Sequence, residues 1–159
     1  MASVLEYLQG RGQVFTVIPH TRTLSGEGAT WPAHVPTDSI ARTVVVIAAH
    51  GLAVLVIPAS RNLDLALASE AIGDPDVRLA TEWELDRQFP DYEPGALPPL
   101  SMLLLAPMYV DPAVIERREV VFSAGRTDVS IRMTTRDLFG RDPVVITPLT
   151  TESRVPAST

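Results

Sequence analysis

Few of this chain's chemistry-bearing residues stand in the company that chemistry needs. The three histidines, His20, His34 and His50, are widely spaced and show no metal-ligand pattern. Cysteine is absent, which removes thiolate nucleophiles, disulfides and cysteine-held zinc or iron–sulfur centres. Ser25, Ser60, Ser101 and Ser123 lie outside any G-x-S-x-G elbow. "LSGEGA" has two glycines but no Lys-Ser/Thr after them, so it reads as a flexible loop and not a phosphate loop. In "EWELD", Glu82, Glu84 and Asp86 read as the solvated face of a helix rather than an acid–base pair. Three stretches are more specialised. "SIARTVVVIAA" sets Arg42 and Thr43 at the head of an apolar strand. "EPGALPPL" is stiff where loops are usually loose, because proline fixes the backbone and has little entropy to lose. "FSAG" ends a strand in the small-residue turn Ser123-Ala124-Gly125.

The elements that position these stretches follow from periodicity and punctuation. Ser3 caps a short helix through Val4, Leu5 and Leu8, which Gly10 and Gly12 end. Val14 to Ile18 reads as a strand stopped by Pro19. Thr21 to Ser39 is rich in Gly, Pro, Ser and Thr and fits a broken helix or a long loop. Arg42–Ala49 and Leu52–Pro58 read as a hairpin around His50-Gly51, and their continuous apolar runs imply a central place with both faces covered. Asn62 or Asp64 starts a helix through Ala71; Val77–Ala80 is a short strand; Thr81 and Glu84 form a capping box. Met102–Leu105 and Met108–Val110 read as strands around Pro107, and Asp111-Pro112 as a helix start. Glu119–Ala124 and Ser130–Met133 read as strands joined by "GRTD", and Thr134 or Thr135 caps a last helix. This order predicts an α+β domain with a mixed, largely antiparallel, barrel-like sheet flanked by helices. The domain is expected over residues 1–143, with a loose Pro- and Thr-rich tail over 144–159.

Composition narrows the partners. The 159 residues suit one domain with a real core. The net charge is −6, and Asp64 to Glu93 carries nine carboxylates against Arg78 and Arg87. High-affinity, non-specific nucleic-acid binders are normally basic, so DNA is not an expected partner; a local arginine patch meeting an RNA end stays open. No apolar run approaches the ~20 residues that span a bilayer, and the first residues lack a basic, apolar signal pattern, so no membrane contact and a cytoplasmic location are expected. All thirteen basic residues are arginines.

The ordered pieces "GRGQVFTVIPH", "SIARTVVV", "LVIPASRNLDL", "VRLATEWEL", "FPDYEPGALPP", "MYVDPAV" and "VVFSAGRTDVSIRMTTRDL" resemble the YbaK/EbsC-type, prolyl-tRNA-synthetase-associated family of aminoacyl-tRNA editing domains. The resemblance runs from about Val4 to Leu138. It implies hydrolysis, in trans, of the ester between a wrong, small amino acid and the terminal ribose of a tRNA. The implied partners are the 3′ aminoacyl-adenosine end of a mischarged tRNA and an aminoacyl-tRNA synthetase that delivers it. No metal or organic cofactor is implied.

The same resemblance assigns the site. Arg42 stands where the family carries a lysine, with Gly95, Pro98 and Pro99 completing the catalytic set. Thr43, Ala96, Leu97, Ser123, Ala124, Gly125 and His20 would contact substrate. The loop from His20 to Thr30 matches the family's mobile cover, or is an ordinary variable loop. An arginine keeps the charge but replaces a compact ammonium with a planar fork. Two readings therefore compete: a working deacylase with altered specificity, and a catalytically weakened binding or regulatory module. "LSMLLLA" after the loop and Arg126-Thr127-Asp128 after the turn also depart from the family pattern and bear on the substrate.

Overall fold

The structure, a computed structural model, describes residues 3–20, 32 and 34–151. Most of Thr21–Ser39, including the expected cover, lies outside them; Thr37–Ser39 forms one 3-10 turn. The chain opens with α1 (Val4–Gly10). Ser3 Oγ accepts the Glu6 N–H and the Glu6 carboxylate accepts the Ser3 N–H, both at 3.1 Å, which satisfies two donors that a helix start leaves orphaned. The helix buries Val4 and Leu8. Its end is fastened by Arg11, whose guanidinium lies 3.0 Å from the buried Asp142 carboxylate.

Two open sheets carry the fold. In the first, β1 (Thr16–Pro19) pairs with β8 (Val129–Thr134), which pairs with β7 (Glu119–Ser123), all antiparallel. In the second, β2 (Ala41–Ala48) and β3 (Gly51–Pro58) form the predicted hairpin at the sheet centre. It is flanked by β5 (Arg78–Leu79) on one side and by β6 (Met108–Val110) and β9 (Val145–Ile146) on the other. β3–β6 and β6–β9 are parallel, so the sheet is mixed. A small ladder joins β4 (Asn62–Leu63) to β10 (Thr150–Thr151).

The sheets do not close into the expected barrel. Ile40, just before β2, meets β7 at one parallel bridge, to Val121, and β2 then pairs with β5 through Val46 and Ile47. The hairpin turn is Ala49-His50, not His50-Gly51: Ala48 pairs with Gly51, which starts β3 at φ 127°. Asp74 explains the register. One carboxylate oxygen accepts the Ala49 N–H and the other the Asp76 N–H, and these bonds hold the carboxyl below its ordinary range.

The helices cover the sheets. α2 (Leu65–Ile72) starts where Asp64 Oδ1 accepts the Ala66 and Leu67 N–H groups and ends at Gly73, φ 83°. α3 (Glu82–Gln88) carries the Thr81–Glu84 capping box. Glu84 also grips Arg78 in a fork at 2.9 and 2.8 Å, and that pair, followed by the Thr81 N–H, lowers its carboxyl to about 2. Ser101–Leu104 is a helix, α4, where a strand was expected. Ser101 and Leu104 are buried while Met102 is exposed, a one-turn helical pattern too short for periodicity to separate from a strand. α5 (Pro112–Ile115) and α6 (Thr135–Phe139) start at Asp111 and Thr134, as their residue types predict.

The expected loose tail is tied down as far as Thr151. β9 joins the central sheet, β10 pairs with β4, and Leu149 is fully buried between them. The agent is Asp111. Its Oδ1 accepts the Ala113 N–H, while its Oδ2 accepts the Leu149 and Thr150 N–H groups and the Thr150 hydroxyl, all at 2.8–3.0 Å.

Candidate active site

Strand pleat decides which predicted residues can meet. Alternate residues of β2 face opposite ways. Ala41 and Val45 enter the large core with Val54, Val56, Leu97 and Phe122, and Thr43 shares their side. Ile40, Arg42, Val44 and Val46 share the other side, where Ile40 packs with Val121 and Val46 with Leu55 and Ile57. Arg42 falls in the gap between those two clusters and is exposed. Arg42 shares its side of the chain with Ile40, which bridges Val121, and Ser123 shares its side of β7 with Val121, but the bridge is isolated and no ladder carries the pairing on to Arg42 and Ser123. Arg42 makes no ion pair or side-chain hydrogen bond among the described residues. Arg11, Arg78 and Arg126, by contrast, each hold a carboxylate.

His20 comes to the Ser123 side from β1. The row Ile18–Ser130–Ser123 crosses the three strands. His20 follows it: its Nε2 lies 2.9 Å from Ser130 Oγ, and its N–H donates to the Asp128 carbonyl at 3.0 Å. Ser130 is fully buried, so its hydroxyl fixes the imidazole rather than meeting a ligand.

The stiff loop and the small-residue turn are bonded to each other. The Gly125 N–H donates to the Ala96 carbonyl, the Ala96 N–H to the Glu93 carbonyl, and the Glu93 N–H to the Gly125 carbonyl, each at 2.9 Å. Gly125 has φ 92°, and a Cβ there would sit 3.0 Å from the Tyr92 ring. Burial, and then Asp91, push the Tyr92 hydroxyl above its ordinary range. Both backbone and space therefore demand glycine. Gly125→Ala is expected to cost about 1–3 kcal/mol, which a thermal melt would read as a fall of about 2–4 °C per kcal/mol. An unchanged melt would mean that this turn is not held as described.

The structure thus joins His20, Ser123, Ala124, Gly125 and the loop at Gly95-Ala96 around the ends of β7 and β1, while Arg42 is tied to them only through its neighbour Ile40, which bridges β7. Of the loop, Gly95 is exposed, while Ala96, Leu97, Pro98 and Pro99 are buried beneath it, with Leu97 in the core. Thr43 is not part of the cluster. It faces away from Arg42, and its Oγ1 is buried without a hydrogen-bond partner among the described residues. Sequence reasoning missed Ser130 and Glu93. The alternation in "VSIRMT" carries the signal for Ser130, which stands with Arg132 on the side opposite Ile131 and Met133. Glu93 has no sequence signal beyond its place before the loop. Among the described residues no group of three or more His, Asp or Glu could hold a metal ion, and no helix is long and apolar enough to cross a membrane. A cavity of about 960 Å³ lies elsewhere, lined by Arg118, Thr134 and Arg136 among others, and includes none of the predicted residues.

Comparison with known proteins bears on this arrangement. Residues 19–140 match the model of a family described as the aminoacyl-tRNA editing domain. No protein of curated function matches the sequence. Among solved structures, a scaffold from computational epitope grafting superposes with a TM-score of 0.79 at 19% identity, covering 93% of this chain and 94% of that one. The hypothetical protein APE2540 gives 0.76 at 24% identity, covering 93% and 99%. A protein proposed to be a trans-editing enzyme for prolyl tRNA synthetase gives 0.74 at 20% identity, covering 95% and 99%. These likenesses show a shared fold.

Proposed function

Because the chain belongs to the aminoacyl-tRNA editing domain family, we propose that it is a trans-acting deacylase. It hydrolyses the ester between a mischarged, small amino acid and the terminal ribose of a tRNA. The observation that supports this reading is the bonding of the stiff loop to the small-residue turn, Gly125 N–H to the Ala96 carbonyl, beside the His20 that Ser130 holds, with the exposed Arg42 making no ion pair among the described residues. Water adds to the ester carbonyl, the carbonyl oxygen gains negative charge, and the ribose oxygen leaves with a proton. The products are a free amino acid and a tRNA with a free hydroxyl. A fixed cation beside the carbonyl or the neighbouring phosphate stabilises that charge, provided it is not already neutralised. The small residues Ser123, Ala124 and Gly125 leave room for the aminoacyl end, and the buried loop from Ala96 to Pro99 sets how much room there is.

The net charge of −6 fits modest, salt-sensitive tRNA affinity or delivery by a synthetase. The test is release of amino acid from a panel of mischarged tRNAs: alanine or cysteine on proline tRNA, and serine on alanine tRNA. At least one is expected to be cleared well above the spontaneous rate, and equally well after dialysis against a chelator. Burial of Ala96 to Pro99 favours a second reading, a module that holds the aminoacyl end without hydrolysing it. That reading predicts binding with no release.

A further inference from the structure

The two walls of the candidate site are bridged by a side-chain bond from the Thr127 N–H to the Glu93 carboxylate, and we infer that Glu93 is the positioning residue that sets their spacing. This inference rests on the editing reading above. Glu93 precedes the stiff loop. Its backbone N–H donates to the Gly125 carbonyl and its carbonyl accepts from Ala96, both at 2.9 Å, and its carboxylate Oε1 accepts the Thr127 N–H. The two backbone bonds survive any substitution at this position. The carboxylate bond does not, and it governs the far half of the turn.

That far half reaches the site directly. Beyond Thr127 lies Asp128, whose carbonyl receives the His20 N–H at 3.0 Å. Asp128 also forms a fork with Arg126 at 3.0 and 3.2 Å. The chain of contact therefore runs from Glu93 through Thr127 and Asp128 to His20. With Gly125 already in the left-handed region, a freed Thr127 N–H lets residues 126–128 pivot, carrying the His20 anchor with them. A displacement of about 1 Å in a positioned group costs about 100-fold in rate. Glu93 touches no substrate in this account and acts through the turn.

The experiment compares Glu93→Ala and Glu93→Gln with the natural chain. Three readouts are taken: amide exchange at Thr127, kcat and KM on the best mischarged tRNA, and affinity for a non-hydrolysable 3′-aminoacylamino-adenosine. Glu93→Ala is expected to speed Thr127 exchange at least about 10-fold and to lower kcat about 10–100-fold with a smaller change in KM. Glu93→Gln keeps an oxygen acceptor and should restore both to within about 3-fold. A merely structural role would move the melting temperature without this split between kcat and KM. The inference is overturned if Glu93→Ala frees the Thr127 amide yet keeps the natural kcat. It also falls if the glutamine variant is as impaired as the alanine one while folded. If the natural chain hydrolyses nothing but binds the analogue, the affinity loss in Glu93→Ala decides the point. Should the natural chain neither bind nor hydrolyse, the editing reading fails first and the positioning role goes with it.

Discussion

Arg42→Ala is expected to lower kcat/KM for deacylation by about 100-fold or more while leaving the melting temperature within experimental error. The two halves of that expectation have separate causes. The side chain is exposed and bonded to nothing among the described residues, so its loss should sit within the about 0.5 kcal/mol typical of surface changes. Its charge is nevertheless unpaired among the described residues, and no lysine exists anywhere in the chain to replace it. Arg42→Lys separates charge from shape. A planar fork that grips two oxygens is not reproduced by an ammonium, so lysine should recover only part of the lost rate. Full activity in Arg42→Ala would remove this residue from the site. Higher activity in Arg42→Lys than in the natural chain would mean that the arginine impairs chemistry the fold can otherwise perform.

Asp111→Ala should be among the most destabilising single changes in this chain, at about 3–5 kcal/mol, a fall of about 6–20 °C in melting temperature. The carboxylate is 3% exposed and accepts four hydrogen bonds, three of them on Oδ2. Alanine leaves the Leu149 and Thr150 N–H groups buried without acceptors and unlatches the fully buried Leu149. Asp111→Asn can keep an oxygen at the Oδ2 position and forfeit the Ala113 bond alone, so its melting temperature should fall between those of the natural chain and the alanine variant. Equal losses in the two variants would show that the charge, and not the set of bonds, holds the C-terminal segment.

What the sequence made legible was local. The Ser3–Glu6 and Thr81–Glu84 capping boxes, the Asp64 cap and Asp111-Pro112 each act within a few residues, and each forms as read. The β2–β3 hairpin was visible because both strands are apolar on both faces, yet its turn slipped by one residue because the deciding acceptor, Asp74, is 25 residues away. Met102–Leu105 misled because four apolar residues carry no period. The C-terminal segment looked loose because its order comes from Asp111 and from β4 and β6, all distant in sequence. The barrel failed for the same kind of reason: closure depends on whether β2 stays beside β7, and it leaves after one bridge. At the site, Arg42, His20 and Ser123 could be named by resemblance. Arg42's place on the Ile40 side, and Thr43's exclusion from it, follow from pleat and register, which only the strand pairing reveals.

The most direct test of the editing account is a single-turnover comparison of alanyl-proline-tRNA with prolyl-proline-tRNA under the same excess of protein, reading free amino acid against time. The account predicts that the mischarged ester is cleared at least about 10-fold faster than the correct one, a ratio that a pocket sorting side chains by size can supply. Equal clearance of both would contradict selection by the site. Failure to clear either would contradict hydrolysis of this substrate pair.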